Sequence, residues 1–291
     1  MRKKVFVILA FLLPSVLIVG IFVYGFIGWT VGVSFTNWNT LLPTWSYAGF
    51  KNYSSLFSND LRFHMDLINN FTFLPFFVLG TMALGFFLAS LLNTGVKFES
   101  FFRTVFLLPM AISLVVSGTI WVWLYDPTNG AIDAFLRAVG LPSINWLGSM
   151  SFALPAIIIA TIWQYTGFTT SIYLAGLRGI PQEVIEAAKL DGAHGWRLYW
   201  NIIIPMVQSS TVTAFVLMVQ LSLQMFDIIW VMTSGGPAFA TDMPAVYMFI
   251  AAFKQNFVAK GAAIAVIIFL LTLAVVIPYL IVAGKITEDE A

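Results

Sequence analysis

Residues 178–197 read RGIPQEVIEAAKLDGAHGWR, a stretch unlike anything on either side of it. Six of the chain's 27 charged residues (14 basic plus 13 acidic) fall inside it. Pro181 suits a first helical position, and the residues from there to Leu190 are good helix formers. Asp191-Gly192 is a stop signal. A second helix is expected to begin near Gly195 and run towards Pro205. The product is a bent helical pair with a small-residue tip (Ala187, Ala188, Gly192, Ala193) edged by the carboxylates of Glu186 and Asp191. Small residues let another backbone come close, and the carboxylates can pair with arginines on a partner.

Outward from this stretch the chain is apolar. Charge-free runs occupy residues 5–29, 71–92, 152–177 and 262–282, while 101–125 carries only Arg103, close to its start, and 202–232 carries only Asp227. Each is close to the roughly 20 helical residues that a bilayer core requires. None alternates apolar and polar residues as a barrel strand would. Over 291 residues the chain is 60% hydrophobic and 9% charged, where a soluble domain has about 25% charged residues. That composition excludes a soluble enzyme and a disordered chain. Zero cysteines exclude a disulfide scaffold and thiolate chemistry, and a net charge of +1 gives no nucleic-acid footprint. The expectation is an all-α membrane protein with six transmembrane helices. The first run is too long for a signal-peptide core of about 7–15 residues, so it is read as retained.

Orientation follows from Lys and Arg. With both termini inside, the inner face holds Arg2, Lys3, Lys4, Lys97, Arg103, Arg178, Lys189, Arg197 and Lys285, and the outer face holds Lys51, Arg62, Arg137, Lys254 and Lys260. The expected topology is therefore N-in/C-in, in the cytoplasmic membrane. Outside, residues 126–130 form a turn, 131–139 a short amphipathic helix closed by Gly140, and 245–257 a helix with Phe249, Phe253 and Phe257 on one face. Asn70-Phe71-Thr72 fits a glycosylation sequon but sits at a helix entrance and is read as a chance match. His64 and His194 fall on opposite sides, so they form no common metal or catalytic site.

The string Glu186-Ala187-Ala188-x-x-Asp191-Gly192-Ala193, with Ile202 and Pro205 beyond it, resembles the EAA loop of binding-protein-dependent ABC importer permeases. Tyr199 stands where the family pattern has Phe, a departure that keeps the ring. Phe226-Asp227, Thr233, Gly235-Gly236-Pro237 and Thr241 resemble the carbohydrate-uptake subgroup, as do Gly130–Asp133, Trp146-Leu147 and residues 175–181. The overall likeness is to the larger, maltose-permease-type subunit, without its extra helices and large insert. The resemblance implies a type I importer permease fold, with residues 1–66 as first helix and external loop, 67–285 as transport core containing a coupling loop at 178–201, and 286–291 as a cytoplasmic tail. It implies that Glu186, Ala187, Ala188, Asp191, Gly192 and Ala193 contact an ATPase. The chain has no Gly-x-x-x-x-Gly-Lys-Ser/Thr phosphate loop, so no cofactor is expected here and ATP and Mg belong to that partner. The implied partners are a second homologous permease, two cytoplasmic ATPase subunits, an extracytoplasmic sugar-binding protein and membrane lipid.

A sugar crossing the bilayer needs hydrogen-bonding side chains and aromatic faces. On a continuous helix Thr213, Gln220, Gln224 and Asp227 fall on one face, and Gln164 and Tyr165 share a face of the preceding run. These six are the candidate pathway residues, with Tyr165 as a stacking surface. Interhelical hydrogen bonding to a second permease is the competing role for the glutamines. Asp227 is expected near the outer mouth, with a structural or gating role. Gly235-Gly236-Pro237 is read as an external turn rather than a phosphate cradle. A stand-alone ion-coupled transporter is the alternative function class, but one carboxylate near a span edge is thin support for it. An importer of an anionic solute such as glycerol phosphate is the other alternative, disfavoured because no run interior carries Lys or Arg.

Overall fold

The computed structural model describes residues 12–289, with side chains to 281. Arg2, Lys3, Lys4, the start of the 5–29 run and the tail end at 290–291 lie outside the described residues. Nearly everything described is helical: α1 (Leu12–Ser34), α2 (Lys51–Asn59), α3 (Leu61–Asn93), α4 (Glu99–Ala111), α5 (Leu114–Leu124), α6 (Ala131–Ala138), α7 (Ala153–Arg178), α8 (Gln182–Leu190), α9 (Trp196–Met206), α10 (Gln208–Leu223), α11 (Asp227–Met232), α12 (Pro244–Lys254) and α13 (Val258–Asp289). By length and composition α1, α3 and α13 can cross a membrane, and counting each of two bent helix pairs as one span raises the number to five.

Two compact units are described separately: residues 12–64 with 247–270, and residues 65–246 with 271–289. In the first, α1 ends where Ser34 Oγ meets Tyr53 Oη at 2.6 Å. A hairpin follows, closed by Asn37 N–H to Ser46 O at 3.0 Å and Ala48 N–H to Phe35 O at 2.7 Å. Buried Asn52 donates to Ser34 O and Thr36 O, fixing α2 to the end of α1. Asp60 caps α3 through Phe63 N–H at 3.1 Å, and its other oxygen takes Lys260 Nζ at 2.5 Å and Tyr247 Oη at 2.7 Å. Burial pushes the Asp60 carboxyl up, but the hydrogen bonds from Lys260, Tyr247 and Phe63 together outweigh it and hold the group below its ordinary 3.8.

The second unit is built around α7. Helix α4 packs against it, as does α10, and α5 packs against α11. Gly167 sits where α7 crosses α4, so close that a Cβ would run into the carbonyl of Phe106. Gly85 on α3 is equally close to Thr169, whose side chain a Cβ there would meet.

Two of the sequence expectations change here. The run 101–125 is not one straight helix: it breaks at Ile112-Ser113, and α4 and α5 differ in direction by 98°. The run 202–232 is not one helix either. It bends by 69° between α9 and α10 and stops again at Gln224, before α11. Run-length hydropathy registers neither break, because single polar residues such as Ser113 and Gln224 are averaged with the apolar residues around them. The expected aromatic row of 245–257 is also shortened. Asn256 has φ +59 and Phe257 lies past the helix, leaving Phe249 and Phe253 as the ring pair at 5.6 Å. The expected helix over 131–139 ends one residue earlier, with Gly140 at φ +79.

Candidate coupling elbow and transport face

The elbow comprises α8, a turn, and α9. Pro181 is extended and stands just before α8, which therefore starts at Gln182, one residue later than expected. At the far end Asp191 N–H, Gly192 N–H and Ala193 N–H return to the carbonyls of Ala187, Lys189 and Ala188. These bonds satisfy carbonyls that a helix end leaves free. Gly192 has φ +86 and Gly195 φ +53, the left-handed region that a Cβ disfavours. Around Gly192 there is open space, so its requirement comes from backbone conformation and not from a neighbour.

The six elbow residues divide by direction. Glu186, Ala187, Asp191 and Gly192 are exposed. Ala188 is buried and Ala193 half-buried, both against a cluster that includes Leu177, Leu198, Ile203 and Val207. Tyr199 joins the same cluster and puts its ring 6.3 Å from Phe86, so the substituted ring fills a packing role. Leu190, at 89% exposure, stands out from the turn. A further brace was not legible in the sequence: Arg178, at the end of α7, pairs with Glu99, at the start of α4, at 2.5 Å. Seventy-nine residues separate the two, and no local spacing signals the pair.

The pathway candidates scatter more widely. Gln164 is 2% exposed and is held inside the chain. Its Nε2 donates to Pro109 O at 2.7 Å and to Ile112 O at 3.2 Å at the end of α4, where Pro109 O also accepts Ile112 N–H at 3.2 Å. Its Oε1 has no hydrogen-bond partner among the described residues. Tyr165 is buried with its ring edge-on to Phe77 at 5.6 Å. Thr213 Oγ1 donates to Ser209 O at 2.9 Å and lies 3.3 Å from Tyr279 Oη. Gln220 is half-buried on α10, Gln224 is exposed just past its end, and Asp227 is exposed as the first residue of α11. The break at Gln224 removes the continuous helical face that grouped Asp227 with Thr213 and Gln220.

The Gly235-Gly236-Pro237 turn is a rigid knot. Ser234, Gly235, Ala238 and Phe239 all have positive φ. Thr241 Oγ1 donates to Gly236 O at 2.7 Å and lies 2.7 Å from Thr233 Oγ1. Asn69 Nδ2 bridges Phe239 O at 2.8 Å and Asp242 O at 2.9 Å. Its neighbour Asn70, the sequon residue, is buried and donates to Ser222 O at 3.1 Å, so its amide is engaged inside the fold. In the 126–130 turn, Asp126 accepts from Asn129 N–H at 2.7 Å and Thr128 N–H at 2.9 Å, which lowers its pKa below the ordinary value.

An apolar helical scaffold with two helix breaks and one exposed charged elbow is the frame of a multi-helix membrane protein. Residues 81–287 match the family described as "Binding-protein-dependent transport system inner membrane component". The chain is 44% identical over 275 residues to a probable ABC transporter permease protein of Pyrococcus horikoshii, covering 94% of each. It is 37% identical over 270 residues to the xylose/arabinose import permease protein XacH of Haloferax volcanii, covering 92% of this chain and 84% of that protein. In fold it is similar to a crystal structure of a bacterial ABC transporter that imports the acidic polysaccharide alginate, with TM-score 0.83 and 22% identity over 98% of this chain and 97% of the other. The chain belongs to the binding-protein-dependent transport system inner membrane components: it is a multi-pass inner-membrane permease subunit with the ABC importer permease fold. It carries no ATP-binding motif of its own.

Proposed function

We propose that the chain is the permease subunit of an ATP-driven importer of a mono- or oligosaccharide, and that it works by alternating access with a second homologous permease. An extracytoplasmic binding protein delivers the sugar, and two cytoplasmic ATPase subunits supply ATP and Mg. The sugar class rests on relatives such as the xylose/arabinose permease. It is also supported by the lack of a buried Lys or Arg among the described residues, with Gln220 and Gln224 offering amides to hydroxyl groups and Asp227 at the start of α11.

The topology in this reading is six spans, N-in/C-in. Helices α1, α3 and α13 and the two bent pairs account for five. Helix α7 is the sixth: its 26 residues extend about 39 Å at 1.5 Å each. The transport core is taken as 67–285, with 1–66 leading into it and 286–291 as a tail.

The observation that carries the coupling assignment is the elbow itself. It is held from behind by Ala188, Ala193 and Leu198, and it presents Glu186, Ala187, Asp191 and Leu190 outward. A lever needs such a stiff root with an exposed tip. ATP-driven closure of the ATPase pair would pull α8, and α7 and α10 would follow through the shared cluster. Single cysteines at Ala187 and Leu190 should cross-link to the ATPase in the assembled complex, in a nucleotide-dependent way. Cysteines that react only with reagent added from outside the cell would overturn the assignment.

A further inference from the structure

We infer that α9 is an interfacial helix whose exposed Trp196–Trp200 pair seats the root of the elbow in the anionic headgroup layer of the inner leaflet. This rests on the inner placement of the elbow proposed above. Trp196 is 75% exposed and Trp200 54%, and their rings meet edge to face at 5.6 Å. Their direction is fixed, because Leu198 and Ile203 on the same short helix are buried in the cluster with Leu177 and Val207. Helix α9 is turned 69° away from α10. If α10 runs across the bilayer, α9 lies much nearer the membrane plane at its boundary.

The chemistry of α9 selects lipid over protein as the occupant. Tryptophan favours the headgroup level, where its ring is half apolar and its N–H finds acceptors. The only charge on α9 is Arg197, which is exposed and complements anionic lipid. The tip of the elbow has the opposite sign, since Glu186 and Asp191 are exposed and suit a basic protein groove. The elbow therefore has two counterparts: an ATPase at the acidic tip and phospholipid at the aromatic root. Lipid at the root would hold the pivot at constant depth while the tip is pulled.

The chain has no cysteine, so a bimane probe can be placed at Trp200→Cys and, in a second variant, at Leu190→Cys. Each complex, with its other subunits cysteine-free, is reconstituted in vesicles of phosphatidylethanolamine and phosphatidylglycerol. The Trp200→Cys probe should be quenched by lipid carrying a doxyl group near the headgroup and protected from aqueous iodide, with or without the ATPase. The Leu190→Cys probe should show the reverse when the ATPase is stripped away. Replacing phosphatidylglycerol by phosphatidylcholine should weaken doxyl quenching at position 200 several-fold. Iodide quenching at position 200, or protection that appears only when the ATPase is bound, would overturn the inference. A membrane-impermeant maleimide applied to inverted vesicles reads the orientation separately. Labelling of Leu190→Cys only from the outer face would sink the coupling reading, whatever the depth at position 200.

Discussion

Replacing Gln164 by leucine tests the most consequential reassignment of a side chain. Gln164 was expected on an open sugar-facing surface, yet its Nε2 closes two carbonyls at the 98° break between α4 and α5. A hydrogen bond contributes about 0.5–1.5 kcal/mol, so losing two removes ~1–3 kcal/mol. Part of this is returned, because leucine also removes the buried, unpartnered Oε1. The net expectation for Gln164→Leu is a loss of ~1–2 kcal/mol. Gln164→Glu should be worse at neutral pH, since an ionised carboxylate would aim only acceptors at two acceptors. The Glu variant should recover at low pH, when a protonated carboxyl can donate one bond. The assay is the thermal midpoint of the purified complex, read alongside sugar uptake. The order wild type, leucine, glutamate is expected at neutral pH, with uptake falling in parallel. If both variants keep the wild-type midpoint but raise the KM for sugar, the clamp reasoning is refuted and Gln164 belongs to the pathway.

Gly192→Val should lower uptake at least tenfold and uncouple or reduce ATPase stimulation, because a β-branched residue at φ +86 is strained by about 1–2 kcal/mol; normal sugar-stimulated ATPase with normal uptake would contradict this. Gly167→Leu should cost several kcal/mol, since even its Cβ would meet the backbone of α4; an unchanged midpoint of the complex would show that the crossing is looser than described. Gln220→Ala with Gln224→Ala should raise the KM for sugar without lowering the midpoint, and unaltered transport kinetics would remove both from the pathway. The Asp60 pKa is lowered in the folded protein, so its stabilising contribution is full above the unfolded value and lost as pH falls through the folded one. Asp60→Asn should therefore lower stability near neutrality, and its difference from wild type should shrink under acid titration below 3.8; a difference independent of pH would refute the assignment.

The class of the fold was legible because membrane burial is written in composition and run length. The elbow was legible because a charged, glycine-stopped segment contrasts with apolar neighbours. The helix breaks were not. Ser113 and Gln224 are single polar residues inside long apolar runs, which a run-length reading averages away, and the first bend depends on Gln164, a partner from elsewhere in the chain. Projecting Thr213, Gln220, Gln224 and Asp227 onto one wheel assumed a single helix, and so grouped residues that a break separates. The inward direction of Ala188 was hidden for another reason: alanine in a coupling string reads equally as a contact residue or a packing residue. The Glu99–Arg178 brace joins elements that only tertiary folding brings together.

Helix α7 carries a run of hydroxyls between Thr161 and Ser171, and hydropathy taken residue by residue marks it down for them. Thr161, Thr166, Thr170 and Ser171 each hand their hydrogen to a carbonyl one turn back on the same helix, and Thr169 shares its own between Thr166 and Thr81. With its protons already spoken for, each threonine shows its surroundings a methyl group. To a translocon, the rod behaves as something greasier than its letters suggest, and exchanging Thr166 for valine should scarcely alter how it partitions.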